Sequence, residues 1–294
     1  MKTKISHKPP TFFTLFIREL KHDYFALISA VTLIILLLAI FIGTPIITSR
    51  YDVMWITPSQ FPVSPSESGT VLGLDRMGRD QFHLLFVAAR NSLYLSFAIT
   101  SLSFLIGIPI GIISGFYGGK IDNIVMRVTD TWSMVPFLMI VIVLLTVFSR
   151  TVFTFILFFS LFMWAPRARL LRAATLAQKQ QDYINASKTL GTPNFLIMVR
   201  EIFPNLVDVT VANFVLIQAA TIGIETGLSL LGYGLGWDYP SLGVMVGNAR
   251  IPLNLQHFPW VWMPAMVLVI VLMLCVNFVG NALQRVSDPR QRYA

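Results

Sequence analysis

The sequence predicts an all-α polytopic membrane protein with six transmembrane helices. Three observations carry this: few charges, six long apolar runs and a one-sided distribution of basic residues. Only 12% of the 294 residues are charged and 55% are hydrophobic, with a mean hydropathy of +0.70. A soluble domain carries about 25% charge. The net charge of +8 reads as cytoplasmic-loop charge rather than affinity for nucleic acid. The single cysteine, Cys275, lies in an apolar run. It forms no internal disulfide and gives no redox information.

A spanning helix needs about 20 mainly apolar residues. Residues 1–23 are expected to form a cytoplasmic tail, too long and too mixed in charge to be the n-region of a signal peptide. The first span covers 24–47 and is retained. Residues 48–91 form an external stretch whose Pro58, Pro62, Ser64, Pro65, Ser66 and Ser68 mark irregular chain. A core of five spans follows over 92–285, at 92–113, 128–148, 151–165, 207–231 and 260–280. The short fourth span can extend into the headgroups through Arg167, Arg169 and Arg172. Trp260 and Trp262 suit an interfacial belt. Residues 286–294 form a second cytoplasmic tail.

With the N-terminus inside, 16 of the 22 Lys and Arg residues fall on the cytoplasmic side. Arg50, Arg76, Arg79, Arg90, Arg150 and Arg250 fall outside. This bias places both termini in the cytoplasm.

The cytoplasmic loop 167–204 is the most informative polar region. Residues 167–190 are dense in helix formers. Gly191 can close that helix at a left-handed cap. Thr192 and Pro193 can open the next as N-cap and first-turn residue, and Pro204 breaks that helix or begins another. Two short helices with Gly191 at the bend are expected. A plain helical hairpin joining two spans remains the simpler reading.

Chemistry-bearing patterns are scarce. No Gly-x-x-x-x-Gly-Lys-[Ser/Thr] occurs, so no nucleotide loop is expected. Gly-x-Ser-x-Gly is absent and no nucleophile–base set stands out. His7, His22, His83 and His257 lack paired ligand spacing, and no metal site is assigned; a metal path through His83 and His257 is the minor reading. Asp75, Arg76, Arg79 and Asp80 are expected to form exposed local pairs of about 0–1 kcal/mol around turns at Gly73 and Gly78. Glu225 is the acidic residue well inside a span, which makes it a functional candidate.

The segment Asn185-Ala186-Ser187-Lys188-Thr189-Leu190-Gly191, nine residues and then Glu201-Ile202-Phe203-Pro204 resembles the coupling loop of ABC-importer permeases. Ala186, Gly191 and Pro204 match in register; Asn185, Ser187, Glu201 and Phe203 depart from the pattern. Four further segments are similar to the oligopeptide/dipeptide/nickel branch. They are Gly73-Leu74-Asp75-Arg76-Met77-Gly78-Arg79-Asp80, with Leu74 in place of Thr, and Gly115-Phe116-Tyr117-Gly118-Gly119-Lys120-Ile121-Asp122. Leu228-Ser229-Leu230-Leu231-Gly232-Tyr233-Gly234 is the third. Asn277-Phe278 with Gly280, then Asp288-Pro289-Arg290, is the fourth. Together they cover about 71–290, and the second permease of oligopeptide systems matches best.

The resemblance implies a type I ABC-importer permease fold in the bacterial plasma membrane, with 92–285 as the permease core. It implies a transport subunit with no catalytic residue, which moves oligopeptides by alternating access. The implied partners are a homologous second permease, two cytoplasmic ATPases that bind the ATP and Mg, an external peptide-binding protein and the bilayer. Asp182, Tyr183, Asn185, Ala186, Ser187, Lys188, Leu190 and Gly191 would meet an ATPase. Gly73, Asp75, Gly78, Arg79, Asp80, Pro204 and Glu225 would be structural, because an acidic residue before the Leu-Ser run is usual in this family. Dipeptide or metal-chelate import stays an alternative, as does an ATP-independent secondary transporter. The near absence of charge in the spans counts against ion coupling.

Overall fold

The computed structural model describes residues 12–50, 62–236 and 238–287. The expectations for residues 1–11, Pro58, the Asp288-Pro289-Arg290 end and Arg292 lie outside them. Apolar chain in lipid must satisfy its own backbone polar groups, and a helix does so within one segment. The described residues are accordingly helical, with two isolated bridges, Val63 to Leu74 and Leu74 to Asp80.

An amphipathic helix α1 (Phe12–His22) leads through Asp23 into α2 (Tyr24–Arg50). The Asp23 carboxylate caps α2 by accepting from the Ala26 amide at 3.1 Å. That bond and the Arg285 guanidinium hold the Asp23 carboxyl below the usual carboxylate range. α3 (Pro65–Ser68) is a single turn. α4 (Gln81–Tyr117) starts at Gln81 rather than at residue 92, because Asp80 caps it by accepting from the Phe82 amide at 2.8 Å. At about 1.5 Å per residue it reaches about 56 Å, well beyond a hydrocarbon core of about 30 Å. The helix thus takes in residues 81–91, which were expected to belong to the external stretch.

α5 (Gly119–Met134) and α6 (Phe137–Val147) meet at a 71° bend. This corrects the expectation of one straight span over 128–148. Pro136 has no N–H to continue the ladder, and its ring pushes Val135 out of the α region to φ −69, ψ 126. α7 (Val152–Lys179) carries the arginine-rich turn beyond the apolar run. The helix expected over 167–190 stops at Gln180-Gln181, and α8 (Asp182–Thr189) follows as a separate element.

α9 (Asn194–Ile197), a π-helical turn Met198–Ile202 and α10 (Phe203–Leu230) then run on as one apolar helix. Pro204 neither breaks nor founds a separate helix. Proline cannot donate, and the preceding π turn shifts the ladder to Phe203 N donating to Met198 O, which absorbs the missing donor. Thr192 is not the N-cap of this run; Pro193 is, one residue later.

α11 (Leu242–Gly247), α12 (Pro252–His257) and α13 (Met263–Ser287) complete the chain. Trp260 sits in a 3-10 turn, Pro259–Val261, ahead of the last span. Among the described residues, five helices are long and apolar enough to cross a membrane, or six with the bent α5–α6 pair.

The tightest seam joins α4 and α7. Gly107, Gly111 and Gly115 recur every four residues along one face of α4. A β-carbon on Gly107 would lie 2.8 Å from Arg167 Cβ, on Gly111 2.6 Å from the Ala168 carbonyl oxygen, and on Gly115 2.8 Å from the Arg172 carbonyl oxygen. Small residues at this spacing let two helix backbones approach in lipid, where no hydrophobic force separates helix from solvent. The helix continues through Arg167, Arg169 and Arg172 as expected, and Arg167 is buried at this seam.

Candidate functional site

Two polar regions stand out against the apolar bundle. The first is the α7–α8–α9 loop. Asp182 lies in the first turn of α8 and Lys188 in the last, each on the end of the helix dipole that suits its charge. Thr192 N donates to Ser187 O at 3.1 Å and Gly191 N to Lys188 O at 3.0 Å. Gly191 has φ +80. This is a Schellman closure, and it needs a left-handed residue at that position. A β-carbon on Gly191 would meet nothing within 4 Å, so the constraint comes from the backbone and not from crowding.

α8 is rooted by one residue. Ile184 is fully buried, packed in a cluster with Phe116, Leu171, Ile197 and Ile202. Tyr183 Oη donates to Gln178 Oε1 at 2.9 Å, tying α8 back to α7. Burial and the nearby Glu201 carboxylate push the Tyr183 hydroxyl up from its ordinary pKa. Lys188 Nζ lies 5.3 Å from the Phe116 ring centroid, within cation–π range. Asn185 and Ala186 are exposed and Ser187 is half-buried. Leu190 is 85% and Phe195 68% exposed. Both apolar side chains stand open beside the short helix.

Beneath this loop, Arg172 Nε and Nη2 donate to Asp122 Oδ1 and Oδ2, each at 2.5 Å, and Ser114 Oγ also donates to Asp122. The three side chains tie the end of α4, the start of α5 and the later turns of α7 together. The bidentate fork fixes direction as well as distance. Neither this clasp nor the glycine seam was singled out from the sequence. The Gly-x-x-x-Gly-x-x-x-Gly repeat was a readable signal for the seam. The clasp joins residues 50 positions apart and had none.

The second region lies at the other end of α10. Glu225 is 2% exposed. Its Oε1 accepts from Ser241 Oγ at 2.7 Å, and Ser241 Oγ in turn accepts from Val244 N at 3.1 Å. Leu242 N donates to Ser92 Oγ at 2.9 Å. A β-carbon on Gly243 would lie 2.3 Å from Glu225 Oε1. The carboxylate thus anchors the start of α11, which packs among α4, α10 and α13.

The Gly73–Asp80 motif folds as a closed turn. Asp75 Oδ1 accepts from the Met77 and Arg79 amides at 2.9 and 2.8 Å, and Arg79 Nε donates to Oδ2 at 2.7 Å. The pair was expected to be exposed; instead the two side chains are only 6% and 8% accessible, covered by chain packing over the turn. Gly73 and Gly78 have φ +77 and +74, and a β-carbon on Gly73 would lie 2.6 Å from Val63 O. Pro204 is exposed in the first turn of α10.

The family profile described as "Binding-protein-dependent transport system inner membrane component" matches residues 107–293. The chain is 40% identical over 274 residues to an oligopeptide transport system permease protein, OppC, of Lactococcus lactis subsp. lactis, covering 93% of each. It is 34% identical to OppC of Bacillus subtilis, over 89% of this chain and 84% of that one. It is 31% identical to the dipeptide transport system permease protein DppC of Bacillus subtilis, over 78% and 71%. An inward-facing structure of the MetNI methionine ABC transporter shares the fold, with a TM-score of 0.57 at 18% identity, over 70% of this chain and 96% of that one.

Proposed function

The chain belongs to the binding-protein-dependent transport system inner membrane components, the permeases of ABC importers, and from that premise we propose that it is one of two permease subunits of an oligopeptide importer. It forms half of the translocation path beside a homologous permease. Two cytoplasmic ATPases bind the ATP and Mg, and an external binding protein delivers the peptide. Oligopeptides are favoured over dipeptides because, within Bacillus subtilis, the OppC relative is 34% identical and the DppC relative 31%, and OppC of Lactococcus lactis reaches 40%.

The observation that carries this reading is the build of α8. It is held at Ile184, at Tyr183 and through the Gly191 closure, while Leu190 and Phe195 face outward. A short helix rooted this way passes a push from a docked ATPase into α4 and α7 instead of absorbing it. Asp182, Asn185, Ala186, Ser187 and Lys188 supply the rest of the contact face. Both termini lie in the cytoplasm in this arrangement. Cysteines at Ser66 and Lys179, in a Cys275→Ala background, are expected to label from opposite sides of the membrane.

The decisive experiment is reconstitution. The complete complex is expected to import peptides with ATP turnover, and crosslinkers at Asp182 or Lys188 should capture an ATPase. The chain alone should do neither. Capture of no ATPase from either position would leave the loop a connector and remove the physical basis of the reading.

A further inference from the structure

A cavity of about 170 Å³ opens beyond the end of α10, lined by Ser229, Gly232, Gly234, Val244 and Asn248 together with Arg150 and Arg250. Two guanidinium groups converge there on one glycine. Arg150 Nη1 donates to Gly232 O at 2.8 Å, its Nε to Leu145 O at 3.3 Å, and its head lies 5.4 Å from the Tyr233 ring centroid. Arg250 Nη1 occupies the space a side chain would take: a β-carbon on Gly232 would lie 2.0 Å from it. Gly232 has φ +87, so glycine suits the site on both counts.

Surface arginines are usually free to swing. Arg150 is held by its two backbone bonds and Arg250 lies against the same glycine; among the described residues neither is ion-paired with a carboxylate, and the ion pairs there use Arg79, Arg169, Arg172 and Arg285. Like charges brought together repel, and an anion between them removes that cost. Arg150 keeps unused N–H groups on Nη2, and a carboxylate accepts such a fork in bidentate fashion.

The cavity also borders α11 through Val244. The start of α11 bonds to Ser92, which lies about 16 Å along α4 from its Gln81 end at 1.5 Å per residue. Ser229 lies between the cavity and Glu225, donating to its Oε1 at 3.3 Å, so the acidic group is turned to α11.

We infer that Arg150 and Arg250 form a subsite for the C-terminal carboxylate of the arriving peptide. This rests on the oligopeptide reading. Every unmodified peptide carries that one anionic group whatever its sequence. A fixed cationic subsite therefore orients the substrate without restricting its side chains.

The test uses the complete complex in proteoliposomes, with one peptide and its C-terminally amidated twin. The ratio of their KM values is compared between the wild type and Arg150→Gln, Arg250→Gln and Arg250→Lys, with the same binding protein throughout. The Gln variants should raise KM for the free acid about tenfold and leave the amide unchanged, as expected for one charge-assisted contact. Arg250→Lys should retain part of the preference, and co-purification of the ATPases reports assembly. An unchanged ratio in assembled variants overturns the subsite while peptide import stands. An equal loss for both peptides, matched by weaker docking of the binding protein, also overturns it and makes the pair a protein contact. Failure of the wild type to import either peptide removes the oligopeptide reading and the subsite with it.

Discussion

The α4–α7 seam and the α8 loop each depend on glycine, and for opposite reasons. At Gly111 the backbone is ordinary helix and the neighbour is the obstacle: the Ala168 carbonyl would sit 2.6 Å from a β-carbon. At Gly191 no neighbour lies within 4 Å, and the backbone itself, at φ +80, excludes other residues. One glycine is chosen by the surface facing it and the other by its own dihedral angles. A substitution in the seam therefore costs stability. A substitution in the loop redirects an exposed helix and costs coupling.

The sharpest break of this contrast is Gly111→Leu. Overpacking against backbone that cannot turn away should cost at least about 3 kcal/mol and abolish assembly, read as loss of the monodisperse complex on size exclusion. A folded, assembled G111L complex would show that the seam is loose. Asp122→Ala comes next. It strands Arg172 beside the buried Ser114 and should destabilise by about 1–3 kcal/mol, seen as a lower Tm of the purified complex. Asp122→Glu should recover part of the loss.

The loop is expected to behave differently. Gly191→Val forces a left-handed β-branched residue at about 1–2 kcal/mol, too little to unfold the chain. Uptake should fall several-fold while ATP turnover persists. Ala186→Trp should leave stability within about 0.5 kcal/mol, as for an exposed site, yet impair uptake if an ATPase covers Ala186. Normal uptake by both variants would erase the contrast. Smallest of all, Glu225→Gln keeps an oxygen for Ser241 and should leave assembly, ATP turnover and import near the wild type. Loss of import alone would make Glu225 part of the path.

What was legible in the sequence follows the range of the forces involved. Gly191 depends on neighbours within a few residues, so the local pattern exposes it; the Asp80 cap is as local, yet Asp80 was read as part of an exposed pair and the helix start was placed at residue 92. Pro136 is equally local, and the bend at Val135-Pro136 was overlooked because the surrounding run is so apolar. The π turn was not legible. It needs the helix on both sides of Pro204 to be held in line by packing, which turns an expected break into a shift of the hydrogen-bond ladder. The buried Asp75–Arg79 pair was placed at the surface because sequence spacing reports reach and says nothing about what covers a turn.

The sequence by itself determined the class of protein, the number of apolar runs and the helix–turn–helix character of 182–197. These rest on transfer of side chains between water and lipid and on intrinsic backbone preference, which each residue carries with it. Only the tertiary structure decided that Asp122 meets Arg172, that Glu225 anchors α11, and that Arg150 and Arg250 converge on Gly232. Those contacts join distant positions through shapes that exist once the helices have packed. Lipid does not sort one helix face from another, so the close fit of backbones and buried polar groups makes that choice.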